Sequence, residues 1–467
     1  MTAVGASGGA APSSIFAGRY RAASAGIIIL TTLLAFESMA VAPALPTVAR
    51  DLRAVGAIGW AFTGFLVSNI VGMVVAGQVS DARGPRLPAA MGLGGFAAGL
   101  AISGTSTTMV QFVAGRCVQG LGGGLLMTSI YVMIGSAYPG FLRPKIFAAM
   151  ASAWVLPSLI GPLVSGTLTQ HVSWRLVFLG LLPFALIGAA LLVPVLRRSF
   201  ASSSAEPGAG LGDRRRIVRA LAAAAGVAGI EAAGQHPSPG SVAAAVVGIA
   251  LLAWGLRALL PAGTFRARHG VPAAVALRGL LAGSMFGVEA MVPLALSVQH
   301  GYGATASGLP LVSSAVTWAI ASWLQGRDRV RLAARGALIR AGFVLLVLGA
   351  VGAAVIARPG VPGWWMYLAW AVAGFGGGLA MPSMGVLLLH YTTDADRGAD
   401  SAALQLGDAV TCALTTGFGG ILVAAAERAV IGYTTAFVTL DLAMAALAVV
   451  GVVVARQARV PRTDTSG

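Results

Sequence analysis

The chain has 467 residues, of which 57% are hydrophobic and only 10% charged, with a mean hydropathy of +0.84 and a formal net charge of +16. So little charge cannot furnish a water-facing surface for a protein of this size, which excludes a soluble enzyme or a string of soluble domains. The Arg residues fall in short clusters between long apolar runs, without a continuous basic stripe and interleaved aromatics, so they mark membrane topology and not nucleic-acid binding.

Residues 1–21 open the chain with a Gly-, Ala- and Ser-rich stretch that lacks the charged, apolar and cleavable order of a signal peptide, and a cytoplasmic tail is expected there. A bilayer core about 30 Å thick needs roughly 20 apolar residues in a helix. Six such runs follow, at 22–45, 58–79, 87–104, 108–134, 146–169 and 174–196, and together they predict a first six-helix bundle over 22–196. Residues 197–271 form a linker: a polar, Arg-rich stretch, then apolar segments 217–233 and 241–260 separated by Gln235-His236-Pro237-Ser238-Pro239. These two segments read as extra spans, with an interfacial amphipathic linker as the alternative. Six more runs, at 272–298, 304–324, 336–357, 363–390, 401–426 and 432–455, predict a second bundle over 272–456, followed by a short tail at 457–467. The expected fold is therefore an all-α polytopic membrane protein of fourteen spans. Cys117 and Cys412 sit singly inside apolar runs, without the spacing of a metal site or a disulfide framework.

Lys and Arg of short loops concentrate on the cytoplasmic side of a membrane. With the N-terminus inside, the cytoplasmic loops carry Arg83, Arg86, Arg143, Lys145, Arg214 to Arg216, Arg266, Arg268 and Arg335, and the opposite loops carry few basic residues. Both tails then fall inside, as an even number of spans requires. The Arg-over-Lys, Ala- and Gly-rich composition points to a bacterial inner (plasma) membrane.

The fourth span of each half carries the same pattern. Gly120-Leu121-Gly122-Gly123-Gly124 recurs 254 residues later as Gly374-Phe375-Gly376-Gly377-Gly378. Pro43 pairs with Pro293 at an offset of 250, and Asp81 with Asp328 at 247. Two six-helix units in the same orientation, joined by an even-numbered insert, are the parallel repeats of a transporter whose halves rock about a midplane site.

The stretch Gly77-Gln78-Val79-Ser80-Asp81-Ala82-Arg83-Gly84-Pro85-Arg86 resembles the loop signature of the major facilitator superfamily, with Gly77, Asp81, Gly84 and Arg86 matching and Ala82 and Pro85 departing from it. Glu37 with Ala44-Leu45-Pro46, then Trp60 and Thr63, resemble the opening helices of the fourteen-helix drug:proton antiporters, which usually place Asp where this chain has Glu37. Arg116-Cys117-Val118-Gln119-Gly120 resembles the family's fourth-helix motif. Gly161-Pro162 with Gly166 resembles part of its fifth-helix antiporter motif, Ser165 and Pro157 standing where Gly is usual. The resemblance implies a major facilitator fold of two pseudo-symmetric bundles plus two extra helices, working by alternating access. It implies gating roles for Gly77, Asp81, Gly84, Arg86, Gly161, Pro162 and Gly166, and a proton-coupling role for Arg116.

An ionisable group inside a span costs roughly 2.5 to 3.5 kcal/mol on insertion scales, so it is expected to face a cavity or a partner. Glu37 in the first span and Glu289, four residues before Pro293, occupy nearly equivalent depths of the two halves. Burial disfavours a charged carboxylate and a bound cation favours it, so such a group holds a proton when the cavity is empty and releases it when a cationic substrate enters. Glu37, Glu289 and Arg116 are the expected proton-coupling set, with Phe36, Gln119, Phe286 and Trp370 as cavity residues. Asp81 is expected to pair with loop arginines. Asp408, Asp441 and Glu231 lie in apolar runs without a matching motif and are read as structural. Pro162 and Pro293 are expected to kink their helices.

The function expected is proton-coupled export of lipophilic, cationic or amphiphilic small molecules, by a monomer in the lipid bilayer with protons and the substrate as its partners. A proton symporter or uniporter for a metabolite, or a membrane ligand sensor, are the alternatives. No metal-ligand spacing, phosphate loop or cofactor motif occurs in the sequence, and no enzyme activity is expected.

Overall fold

The computed structural model describes residues 14–18, 20–54, 58–199, 213–235, 239–325 and 332–458, apart from a few side chains within them. The described residues form α1 (Tyr20–Asp51), α2 (Ile58–Arg83), α3 (Arg86–Gly104), α4 (Met109–Ala137), α5 (Arg143–Ser152), α6 (Val155–His171), α7 (Arg175–Leu179) and α8 (Leu182–Ser199) in the first half. The insert supplies α9 (Arg214–Gln235) and α10 (Pro239–Leu259). The second half supplies α11 (Val271–Glu289), α12 (Val292–His300), α13 (Ala304–Gln325), α14 (Arg335–Ile356), α15 (Trp365–Tyr391), α16 (Arg397–Glu427) and α17 (Tyr433–Val454).

Three of the expected spans are broken rods, α5 with α6, α7 with α8, and α11 with α12. The last break falls where Pro293 was expected to bend the chain. Proline donates no hydrogen bond to the carbonyl four residues earlier, here that of Glu289, and α11 ends there. The fifth rod breaks elsewhere than expected. Its discontinuity lies at Ala153 and Trp154, four residues before Pro157, while the chain stays helical through position 162. The side chain of Pro162 lies outside the described residues, as do those of Pro43 and Glu231, and as do Asp328 and most of the two tails.

Thirteen helical stretches among the described residues are long and apolar enough to cross a membrane. The remaining rod, α9, begins with three arginines and is rich in alanine. Its environment explains that composition. Ala220, Ala223, Ala224 and Val227 of α9 are buried, the last three in a cluster that holds Ile70 of α2 and Leu406, Val410 and Ala413 of α16. The outer helix α10 carries the exposed bulk, with Val242, Val246, Val247, Ile249 and Trp254 facing outward. A helix buried by protein needs small residues for close approach, whereas one facing acyl chains needs apolar side chains. The insert is thus a hairpin laid over the seam between α2 and α16.

The two glycine runs make equivalent packing in the two halves. A Cβ on Gly120 or Gly124 would lie 2.2 Å from the carbonyl of Phe65 or Asn69 in α2, and one on Gly122 would lie 2.2 Å from the Phe96 nitrogen in α3. In the second half a Cβ on Gly374 or Gly378 would meet the carbonyls of Ser314 and Trp318 in α13 at 2.3 Å, and one on Gly376 would meet Gly342 of α14 at 2.5 Å. Each fourth helix is therefore wedged between the second and third of its own bundle by backbone contact, and the repeat in sequence is a repeat in packing. Gly122→Val is expected to lower the thermal midpoint in detergent by several degrees, since forcing apart packed backbones costs about 1 to 3 kcal/mol. Gly123→Ala, where the nearest atom is the Asn69 amide nitrogen at 3.2 Å, is expected to be far milder. Equal losses for the two would refute this account of the wedge.

Candidate functional site

Glu37 of α1 and Arg116 of α4 form an ion pair inside the first bundle, both almost completely buried. Arg116 has further partners. It also donates to Gln119 Oε1 at 2.7 Å and, from Nε, to the Ala61 carbonyl at 3.4 Å, and its guanidinium lies 4.4 Å from the centre of the Phe65 ring. Burying two charges is tolerable only when they are paired and their remaining hydrogen-bonding capacity is met. The sequence places this well: Gln119 follows Arg116 by three residues, so one helix face delivers both. Gln119 Nε2 is buried without a hydrogen-bond partner, and Phe36 beside Glu37 is half-buried.

In the second bundle Glu289, the last residue of α11, is largely buried. No ion pair to it occurs among the described residues. Its carboxyl is influenced by the indole of Trp370 in α15. Trp370 is buried to 1% exposure, and its Nε1 makes no hydrogen bond of standard geometry. The indole is thus a polar neighbour of Glu289 without a formed hydrogen bond between them. Phe286, one turn before Glu289, stacks on Trp318 of α13 with ring centres 6.5 Å apart. The expected coupling and cavity residues thus gather as two separate groups, one per bundle, and the carboxyl of the first is locked to an arginine while that of the second is not.

A second buried ion pair was not anticipated. Arg278 of α11 donates to both carboxylate oxygens of Asp408 in α16, at 2.7 and 2.6 Å, and its Nη2 reaches the Tyr131 hydroxyl of α4 at 3.4 Å. Arg278 is 4% exposed. The structural role expected of Asp408 from the sequence thus has a specific partner in Arg278, which no sequence motif marks. The signal that finds it is the one applied to the acids, an ionisable residue within an apolar run. Asp441 is buried in α17.

Of the residues expected to gate from the loop signature, Gly77 and Asp81 sit where the bundles touch. Asp81 pairs across the seam and not with loop arginines, as the sequence led one to expect. Its two carboxylate oxygens accept from the backbone nitrogens of Gly398 and Ala399, at 2.5 and 2.8 Å. Those amides are in the first turn of α16, where unpaired N–H groups and the helix dipole favour a negative charge. Close approach is what permits this. A Cβ on Gly77 would lie 2.7 Å from the Gly398 carbonyl, and one on Gly398 would lie 2.2 Å from that of Gly77. Gly84 holds a positive φ of 76° in the turn between α2 and α3, and Arg86 is exposed. In the fifth rod a Cβ on Gly161 would meet Met39 at 3.1 Å, whereas Gly166 has open space around it. Ser165, buried between them, donates to the Ala40 carbonyl of α1 at 2.5 Å.

Other contacts across the seam fall at the same end of the molecule. Gln405 donates to Thr128 at 3.0 Å, and Arg143 to the Leu389 carbonyl at 3.2 Å, so α4, α5, α15 and α16 meet near the ends of their rods.

Two bundles related by a repeat, each with a carboxyl group held inside its spans, and a seam closed at one end, define a membrane transport fold. The chain matches the Major Facilitator Superfamily over residues 27–360, and it belongs to that family. It is 34% identical over 169 residues to an acurin A biosynthesis cluster MFS-type transporter of Aspergillus aculeatus, a match covering 36% of this chain and 30% of that protein. It is 30% identical over 162 residues to the multidrug transporter protein MdtP of Bacillus subtilis, covering 35% and 30%. With the multidrug efflux pump SdrM of Staphylococcus aureus it shares 29% over 167 residues, 36% of this chain and 37% of that one. These matches span about a third of the length of the curated relatives. Among solved structures it resembles the human organic anion transporter MFSD10, with a TM-score of 0.70 at 15% identity over 93% of this chain and 99% of that chain. It also resembles the proton:xylose symporter XylE, with a TM-score of 0.65 at 15% identity over 92% and 94%. The relatives and fold neighbours are transporters and not enzymes.

Proposed function

We propose that the protein is a proton-coupled secondary transporter that exports lipophilic, cationic or amphiphilic small molecules by alternating access, in the inner membrane with both termini cytoplasmic. The observation that carries the reading is the buried Glu37 and Arg116 pair. A carboxyl group inside a low-dielectric bundle takes up a proton only by giving up its cation, so protonation and the arrangement of α1 and α4 are linked. Relatives named as multidrug transporters support export of apolar compounds. The aromatic group of Phe286, Trp318 and Trp370 beside Glu289 supports a cationic or amphiphilic substrate, since ring faces attract cations and the carboxyl supplies a counter-charge.

With the basic loops inside, the seam closed by Asp81 and the Gln405 and Thr128 bond lies on the cytoplasmic side, and we assign this arrangement to the outward-facing state of the cycle. Glu37 is then held by Arg116 in the outward state, and a proton arriving from outside competes with that hold. Release of the pair favours the opposite state, where the proton leaves and substrate enters.

The test is flux in inverted vesicles carrying the protein. An imposed proton gradient, acid inside, is expected to drive a fluorescent lipophilic cation into the vesicle lumen, and collapse of the gradient to release it. Uptake in the opposite sense, with substrate and proton moving together, would replace this reading by symport.

A further inference from the structure

The two bundles meet along two crevices that the repeat relates to each other. One lies between α2, the second rod of the first half, and α16, the fifth rod of the second. Its twin lies between α13, the second rod of the second half, and the fifth rod of the first, α5 with α6. The glycine packing fixes which positions correspond. Gly120 abuts Phe65 as Gly374 abuts Ser314, and Gly124 abuts Asn69 as Gly378 abuts Trp318, so Ile70 and Val71 of α2 correspond to Ala319 and Ile320 of α13. Arg143 opens α5 as Arg397 opens α16, and an equal count from each arginine reaches Leu156 in α6 and Val410 in α16.

The insert treats the twins differently. Ile70 and Val410 are 0% and 2% exposed, in the cluster that α9 completes, and Val71 packs against the same cluster. Their counterparts are open. Ala319 is half-buried, Leu156 is 56% exposed and Ile320 47%. At the cytoplasmic end both crevices are shut, the first by Asp81 and Gly77 against the start of α16 and the second by α13 against α5. Leu156 and Val410 lie about 20 Å along their rods from that end, in the half where the bundles part in the outward-facing state. The small side chains of Ala223 and Ala224 let α9 settle into the first crevice there, so α9 stands between that crevice and the bilayer, while acyl chains reach the other. The fifth rods differ as well. That of the first half breaks at Ala153 and Trp154, beside the open crevice, and α16 beside the covered one is continuous.

We propose that the insert makes exchange with the bilayer one-sided: lipophilic substrate passes between the bundles and the lipid through the crevice of α6 and α13, and α9 seals the crevice of α2 and α16. The proposal rests on the export reading above and names the route by which an apolar compound leaves. Such a compound gains free energy with every methylene kept out of water, and Leu156 and Ile320 give it an apolar path from the space between the bundles to the acyl chains. A hydrophilic cation has no such gain and leaves through water at the outer mouth.

The experiment blocks one face at a time in the full-length protein. Leu156→Cys and, on the outer face of α10, Val246→Cys are labelled in detergent with a bulky maleimide and reconstituted. The unsubstituted protein, treated alike, reports any labelling of Cys117 and Cys412. Efflux of a lipophilic and of a hydrophilic monovalent cation is then compared. The label on Leu156→Cys is expected to slow the lipophilic cation about tenfold and the hydrophilic one far less, and the label on Val246→Cys to slow neither. If labelled Leu156→Cys loses its thermal midpoint, Ile320→Cys on the opposite wall gives the same reading. Equal effects of the labels on α6 and α10, equal slowing of the two cations, or full efflux with the crevice labelled would overturn the one-sided route and leave export standing. Should the hydrophilic cation not be carried at all, the two labelled positions are compared on the lipophilic cation alone. Unlabelled protein that exports no lipophilic cation would instead refute the export reading, and this proposal with it.

Discussion

Glu37→Gln is expected to reduce proton-driven efflux in proteoliposomes by about 100-fold or more, which corresponds to roughly 2.7 kcal/mol of lost coupling. Glutamine preserves the volume of the side chain and an oxygen that accepts from Arg116, so the bundle keeps its packing. What it removes is the only atom set at that position able to exchange a proton. Arg116 keeps its bonds to Gln119 and the Ala61 carbonyl and its seat over Phe65. Counterflow, the exchange of labelled for unlabelled substrate without a gradient, is therefore expected to survive in this variant while gradient-driven accumulation fails. Glu37→Ala is a different experiment. It leaves a buried guanidinium without a counter-charge, at a cost of about 3 to 5 kcal/mol, and its loss of function would report on folding. Unchanged coupling in Glu37→Gln would show that the carboxyl is merely a structural tie between α1 and α4.

The second large effect concerns the pair that joins α11 to α16. Asp408→Leu strands Arg278, a cation buried among apolar residues, and is expected to destabilise the protein by about 3 kcal/mol or more. The double variant Arg278→Met with Asp408→Leu removes both charges and is expected to recover most of that loss, because two well-packed apolar side chains replace a buried ion pair at little net cost. Thermal midpoints of the two single variants and the double variant form a cycle whose interaction term isolates the pair. A double variant no more stable than Asp408→Leu would mean that the damage lies in packing and not in charge. Tyr131 belongs to the other bundle, so loss of Arg278 is also expected to loosen the seam.

Much of this fold can be read from residue types because the bilayer restricts the chain to helices. The apolar runs, the punctuating arginines and the Gly120 and Gly374 repeats depend on local composition, and the helices lie within a few residues of those runs. Glu37 and Arg116 were each legible as ionisable residues in a span. Their pairing was expected only as a general need for neutralisation, since nothing in the 79-position separation between them encodes it. Long-range partners escape for the same reason. Asp81 meets Gly398 across 317 residues, and its partner is main chain, which carries no sequence signal at all. Arg278 is an ionisable residue in an apolar run like Arg116, but no motif surrounds it to mark it out. The break at Ala153 was misplaced because Pro162 stands within a recognisable motif, whereas the helix interrupts itself four residues before Pro157. The alanine-rich face of α9 explains why hydropathy alone undervalues a helix that packs against protein.

The hold that Asp81 exerts on α16 has one side chain and, opposite it, only peptide nitrogens. A charge swap that rescues a broken salt bridge has no counterpart in such a latch, for there is no second residue to reverse. Revertants of a lesion at Asp81 must therefore act at a distance, by rebalancing how long the transporter dwells in each of its two states.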